Sequence, residues 1–199
     1  MNESLLTNEN DNNVTKDTEG SLSLDNEPLK KEAFKNQIMN AITQNLLDII
    51  KENAPYKNLI SVDKFYLTCV PNISLNDYIK RLVIFTKMDI STLINAIIYI
   101  DTYCEKKNCI LCLNNVYLIL LSACLLSIKF NEDFPIDTKF YSQIAGIKLQ
   151  SLINLESSLL ASLDYRLLVK EDLYRSYYDY FSHFEISYPK KEKEILSEK

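Results

Sequence analysis

The chain has 199 residues, with no tryptophan, a single histidine (His183) and only two glycines. Glycine this scarce rules out a glycine-rich phosphate loop and disfavours a turn-rich β fold. One histidine leaves no Ser/His/Asp set, and no pair of acids marks an obvious cleft, so no enzyme activity is expected. None of the five prolines follows a serine or threonine, so the chain offers no site for proline-directed phosphorylation. Positive charge is also short. Lys and Arg total 22 against 27 Asp and Glu, a formal charge of −5. A nucleic-acid partner is therefore not expected, because it would need a basic face to displace counterions from phosphates. Nor is there a membrane-length apolar run. The longest, Val116–Ile128, is interrupted by Ser122 and Ser127 and falls short of the ~18 residues a span needs. The polar, acidic start lacks the features of a secretory leader. An intracellular protein of cytoplasm or nucleus is expected, with its five cysteines as reduced thiols and the sequons at Asn13 and Asn72 unused.

Helix-forming sequence dominates what is present. Leu, Ile, Lys, Asn and Glu are abundant and breakers are rare, which favours an all-α fold. Residues 1–27 are polar and nearly free of aromatics, and are expected to be a disordered tail. Residues 28–185 are the expected folded domain, and 186–199 a polar tail. Phe34, Ile38, Ile42, Leu46 and Ile49 recur at helical spacing and predict a first helix over about 33–51. Ser74 and Asp77 form a capping-box pattern that opens a helix over 75–87. Further helices are predicted over 90–106 (capped by Asp89 or Ser91), 115–130 (capped by Asn114 or Asn115), 137–145 (ended by Gly146), 149–163 and 171–184. The helix at 115–130 is apolar all round, which suits a helix surrounded by others. Lys129, at its end, would by itself be a lysine reaching back to water.

Two segments, "YIKRLVIFTKMDISTLINAIIYIDTYC" and "LLSIKFNEDFPIDTKFYSQIAGIKLQSLINLESSLLASLDYRLLV", together resemble a cyclin box. "AGIKLQSLINLE" and "LDYRLLV" resemble the P/U-type, phosphate-pathway-like cyclins. The resemblance covers about 75–170. It implies a single five-helix box whose third helix is central, with flanking helices near 33–51 and 171–184. It also implies a regulatory subunit that binds and activates a cyclin-dependent kinase, is monomeric before binding it, and needs no cofactor or metal. Carried onto this sequence, the resemblance implies a kinase-facing pair, Lys129 and Glu156, with apolar neighbours Leu126, Phe130, Leu160, Tyr165 and Leu167. It further implies a structural ion pair between Arg81 and Asp101. The family often has "IDR" in the second box helix, where this chain has "IDT" with Thr102.

Other features have plainer explanations. "CILC" (Cys109–Cys112) has zinc-like spacing, but a tetrahedral site needs four ligands and no second pair lies near. It is expected to be a loop with two thiols. The tyrosines of "LYRSYYDYFSHF" are expected to pack with their hydroxyls at the surface. "KEN" at 51–53 matches a degradation signal, but its three residue types are all common in this chain. The alternatives to a kinase regulator are a cyclin-fold scaffold that does not activate a kinase, and a transcription adaptor. The adaptor would call for a second repeat and a basic face.

Overall fold

The computed structural model describes residues 27–184 apart from Ser61 and Ile136. The tails expected before Glu27 and after 185 lie outside the described residues. The chain divides into two compact units, residues 1–34 and 35–199. The described part of the first is the opening of helix α1, and everything below concerns the second. Among the described residues there are seven α-helices and no strand. They are α1 (Glu27–Glu52), α2 (Leu75–Thr86), α3 (Ile90–Lys107), α4 (Val116–Asn131), α5 (Thr138–Ala145), α6 (Leu149–Ser162) and α7 (Glu171–Ser182). A 3-10 turn, Ala54–Leu59, follows α1.

Local chemistry explains most boundaries. The Ser74 hydroxyl accepts the Asp77 N–H at 3.0 Å and caps α2. It donates in turn to the Asp77 carboxylate at 2.7 Å, so the return arm of the cap closes on the hydroxyl rather than on the backbone. Asp137 caps α5, and Gly146 ends it at φ +71°, a left-handed conformation that costs glycine nothing. Asp89 and Asn115 stand at the N-caps of α3 and α4, but neither side chain makes a capping bond. Glu132, from the end of α4, instead accepts the Asp89 N–H at 3.1 Å and the Thr92 hydroxyl at 2.6 Å. Asn115 is buried and turns back into the preceding loop. It accepts the Cys112 N–H at 2.8 Å and donates to the Ile110 carbonyl at 2.9 Å.

Helix α4 occupies the centre, as its uniform apolarity predicts. Every residue from Ile119 to Ile128 is buried, and α4 packs against α3, α6 and α2. Its serines are satisfied internally: Ser122 donates to the Leu118 carbonyl and Ser127 to the Thr92 carbonyl on α3. Helices α2 to α6 form the five-helix box. Helix α7 lies on α3 and is tied to α1 by the bond from Asn45 to the Tyr180 hydroxyl at 3.0 Å. Tyr177 and Tyr180 pack on Phe181, the one buried side chain of α7, and Tyr174 stacks on Tyr178; the hydroxyls were expected at the surface, but that of Tyr177 turns inward onto Asp101. No helix among the described residues is long and apolar enough to cross a membrane.

Candidate functional site

The end of the central helix carries the site. Lys129 is the first exposed residue after the buried run of α4. Its Nζ donates to both carboxylate oxygens of Glu156 on α6, at 2.7 and 2.9 Å. The two side chains differ in exposure: 36% of the Lys129 side chain is open to solvent but only 14% of Glu156. Lys129 therefore bridges the rim, while Glu156 is largely covered. The pair lies 27 positions apart in sequence, and the packing of α4 on α6 brings it together.

Exposed apolar side chains flank this pair along the chain and along α6. Phe130, next to Lys129, is half exposed, and Phe134 in the following turn is 93% exposed. On α6, Leu149, Ile153, Glu156 and Leu160 recur at three- and four-residue steps and share one face. Leu149 and Ile153 are both exposed on that face. Helix α6 then ends in a Schellman motif, with the Asp164 N–H bonded to Ala161 O at 3.1 Å and the Tyr165 N–H to Leu160 O at 3.0 Å. Such an end brings the side chains of Leu160 and Tyr165 toward one another. Tyr165 remains 73% exposed and has positive φ (+59°). Leu167 is partly buried, and its carbonyl accepts from the Tyr99 hydroxyl at 2.7 Å, which pins the strap after α6 to α3. Its neighbour Leu168 is 83% exposed.

The structure thus places Lys129, Phe130, Glu156, Leu160, Tyr165 and Leu167 at or beside this surface. Leu126 is different. At 3% exposure it belongs to the core beneath the surface. Leu149 and Ile153, exposed on the Glu156 face of α6, were not picked out from the sequence. The α6 spacing from Glu156 could have found Leu149 and Ile153, since they fall on its stripe.

The expected pair of Arg81 and Asp101 does not form. Arg81 is exposed and its guanidinium stands 6.0 Å from the centroid of the Phe85 ring, one turn along α2. Asp101 turns toward α7, where its carboxylate accepts the Tyr177 hydroxyl at 2.7 Å. Burial pushes the Asp101 carboxyl above the ordinary carboxylate range, and the Tyr177 bond partly opposes this. A neutral donor from a packed helix has taken the role expected of the arginine. Among the described residues no group of three or more His, Cys, Asp or Glu could hold a metal.

The sequence model of the Cyclin family matches residues 3–167. Among known proteins, the chain is 26% identical over 109 residues to Cyclin-U2-1 of Arabidopsis thaliana, covering 54% of this chain and 49% of that protein. It is 27% identical over 107 residues to Cyclin-P3-1 of Oryza sativa subsp. japonica, covering 54% and 45%. It is 23% identical over 150 residues to Cyclin-U4-1 of Arabidopsis thaliana, covering 74% and 72%. The chain spans about half the length of most of the curated relatives it matches. A family match across most of the chain, a box of five helices around a buried third, and relatives from both the U and P types agree: the chain belongs to the cyclin family, in its P/U-type branch.

Proposed function

We propose that this cyclin binds and activates a cyclin-dependent kinase through the surface formed by the end of α4 and the exposed stripe of α6. As a cyclin, the chain is a regulatory protein and not an enzyme. The observation that carries the proposal is the two-pronged Lys129–Glu156 pair set among exposed apolar side chains. Exposed apolar side chains gathered about a charged pair are a mark of a protein-interaction site. An ammonium has three donors, and Glu156 takes two, which leaves the third for a backbone carbonyl of the partner. Glu156 keeps lone pairs for a partner N–H. Phe130, Tyr165 and the stripe residue Ile153 supply the apolar contact around this polar centre. Activation follows from population shift. An inactive kinase holds its C-helix outward, which breaks the Lys–Glu pair that positions the ATP phosphates. A partner that binds only the inward form draws the equilibrium toward it by its differential affinity. In this proposal the cyclin is a monomer until it meets the kinase.

The test is direct. The chain is mixed with the purified catalytic subunit of a cyclin-dependent kinase from the same source, and both binding and peptide phosphorylation are followed. The wild type should bind and raise the phosphorylation rate. The Lys129→Ala/Glu156→Ala double variant should keep its helical circular dichroism but bind at least about 30-fold more weakly, since desolvated interface charges are worth roughly 2–5 kcal/mol. Full binding by the double variant would show that the contact lies elsewhere. Failure of the wild type to bind any such kinase would favour a helical scaffold.

A further inference from the structure

Helix α3 also ends in a Schellman motif. Asn108 is left-handed at φ +49°, its N–H reaches the Glu105 carbonyl at 3.4 Å, and the Cys109 N–H reaches the Cys104 carbonyl at 2.9 Å. Such a motif brings the residues at its two ends close together, frequently with their side chains in contact. Here both are cysteines. We propose that Cys104 and Cys109 form a hydroperoxide-reactive dithiol, with Cys109 as the attacking sulfur and Cys104 as the resolving one. This goes beyond the proposed kinase contact and does not depend on it.

The two positions are not equivalent. Cys109 lines an open cavity of about 690 Å³, together with Phe65, Tyr103, Lys107 and Ser158, and Cys104 does not. A small oxidant therefore meets Cys109 first. The neighbouring Cys109 raises the Cys104 thiol, and burial adds to this. Cys104 in turn lowers the Cys109 thiol, against burial and the nearby Asp63. Asn115 Nδ2 also points at Cys109 Sγ, at 3.8 Å. A sulfur that faces an N–H donor has more thiolate character, and the thiolate is the reactive form. Cys124 is the contrast: it is wholly buried in α4, and burial pushes its thiol up to about 12. The familiar spacing of "CILC" would pair Cys109 with Cys112. The turn at Asn108 pairs it with Cys104 instead.

The chemistry balances with hydrogen peroxide as the oxidant. The Cys109 thiolate attacks one peroxide oxygen and the O–O bond breaks. This leaves a sulfenic acid on Cys109, and the departing hydroxide takes up a proton as water. The Cys104 sulfur then attacks the Cys109 sulfur. The S–O bond breaks, and that oxygen leaves as a second water carrying the Cys104 proton. Two thiols are oxidised to one disulfide and one peroxide is reduced to two waters. Closure brings the sulfurs to about 2 Å. The cavity wall on α6 includes Asn154, Ser158 and Ala161. At 100° per residue these face nearly opposite Glu156, so oxidation and kinase binding can be read separately.

The full chain is treated with a small molar excess of hydrogen peroxide, unfolded, and its free thiols are counted with a maleimide. Two of the five cysteines should be lost and should return with a thiol reductant. Trypsin cuts after Lys106 and Lys107, between the two sulfurs, so the bond appears as a peptide pair that separates on reduction. Fragmentation should locate it at Cys109 rather than at Cys112 or Cys124 on the same peptide. Cys104→Ser should leave a sulfenic acid on Cys109 that dimedone traps, and Cys109→Ser should protect Cys104. Circular dichroism confirms that both variants fold. Retention of all five thiols, a bond through Cys112, a link between chains, or unchanged thiol loss in Cys109→Ser would each overturn the proposal.

Discussion

Replacing Tyr177 with phenylalanine removes one oxygen and leaves Asp101 without its donor. Asp101 is partly buried between α3 and α7, and the Tyr177 hydroxyl at 2.7 Å is the partner its carboxylate has there. A hydrogen bond to a charged group is worth about 1.5–3 kcal/mol. Asp101 keeps some access to water, so the loss should fall near the low end, at about 1–2 kcal/mol. For a domain of this size each kcal/mol moves Tm by about 2–4 °C, which gives a fall of roughly 2–8 °C. The pH dependence is more telling than the size. Burial already raises the folded carboxyl above its unfolded value. In the interval between those two values the folded state holds more proton, so stability falls as pH rises through it. Removing the hydroxyl raises the folded carboxyl further and extends that interval upward. The deficit of Tyr177→Phe should therefore be largest at neutral pH and should shrink as pH falls toward the ordinary carboxylate range. Arg81→Ala is the control. With its guanidinium over Phe85 and exposed, it should change stability by no more than about 0.5 kcal/mol. Urea melts of the two single variants and the double variant across pH test this. A deficit independent of pH, or an Arg81→Ala cost matching that of Tyr177→Phe, would refute the reasoning.

Two further substitutions have definite expected outcomes. Lys129→Ala should cost more stability than Glu156→Ala, about 1 kcal/mol against less than 0.5, because the largely covered carboxylate cannot replace its partner with water while the lysine can extend into it. Equal thermal shifts would show that Glu156 is as well solvated as Lys129. Gly146→Ala should cost about 1 kcal/mol through backbone strain alone, since a Cβ there would meet nothing within 4 Å at φ +71°. A loss of several kcal/mol in a denaturant melt would mean that the end of α5 is packed more tightly than it is here.

The helices were legible because their signals are local. Ser74, Asp137 and Gly146 carry their boundary chemistry within three residues of themselves. The burial of α4 was legible because a helix apolar on every side has nowhere else to go. The capping partners of α3 were not, since Glu132 reaches Asp89 and Thr92 from forty or more residues away. The site divides along the same line. Nothing in the residues alone joins Lys129 to Glu156. The family resemblance suggested that pair, and the packing of α4 on α6 forms it. The same resemblance suggested Arg81 with Asp101, but the bond depends on α7, which lies beyond the resembling segment. Lys129 was expected to reach water, and only the structure shows that its partner Glu156 does so narrowly. The pairing of Cys104 with Cys109 was hidden for a geometric reason: a five-residue separation closes only when the residue between helix and loop turns left-handed, as Asn108 does.

Lys129 projects from the most enclosed segment of the fold, and this bears on how the molecule opens. Amides that are buried and helically bonded exchange their hydrogens only when the whole domain unfolds, whereas surface helices exchange through local fraying. Residues 121–128, wrapped by neighbours on every side, should exchange slowest of all, and Lys129 follows them directly. The side chain proposed to meet the kinase is thus mounted on the last element to melt. Local breathing of α7 or of the turn before α5 would leave its position untouched.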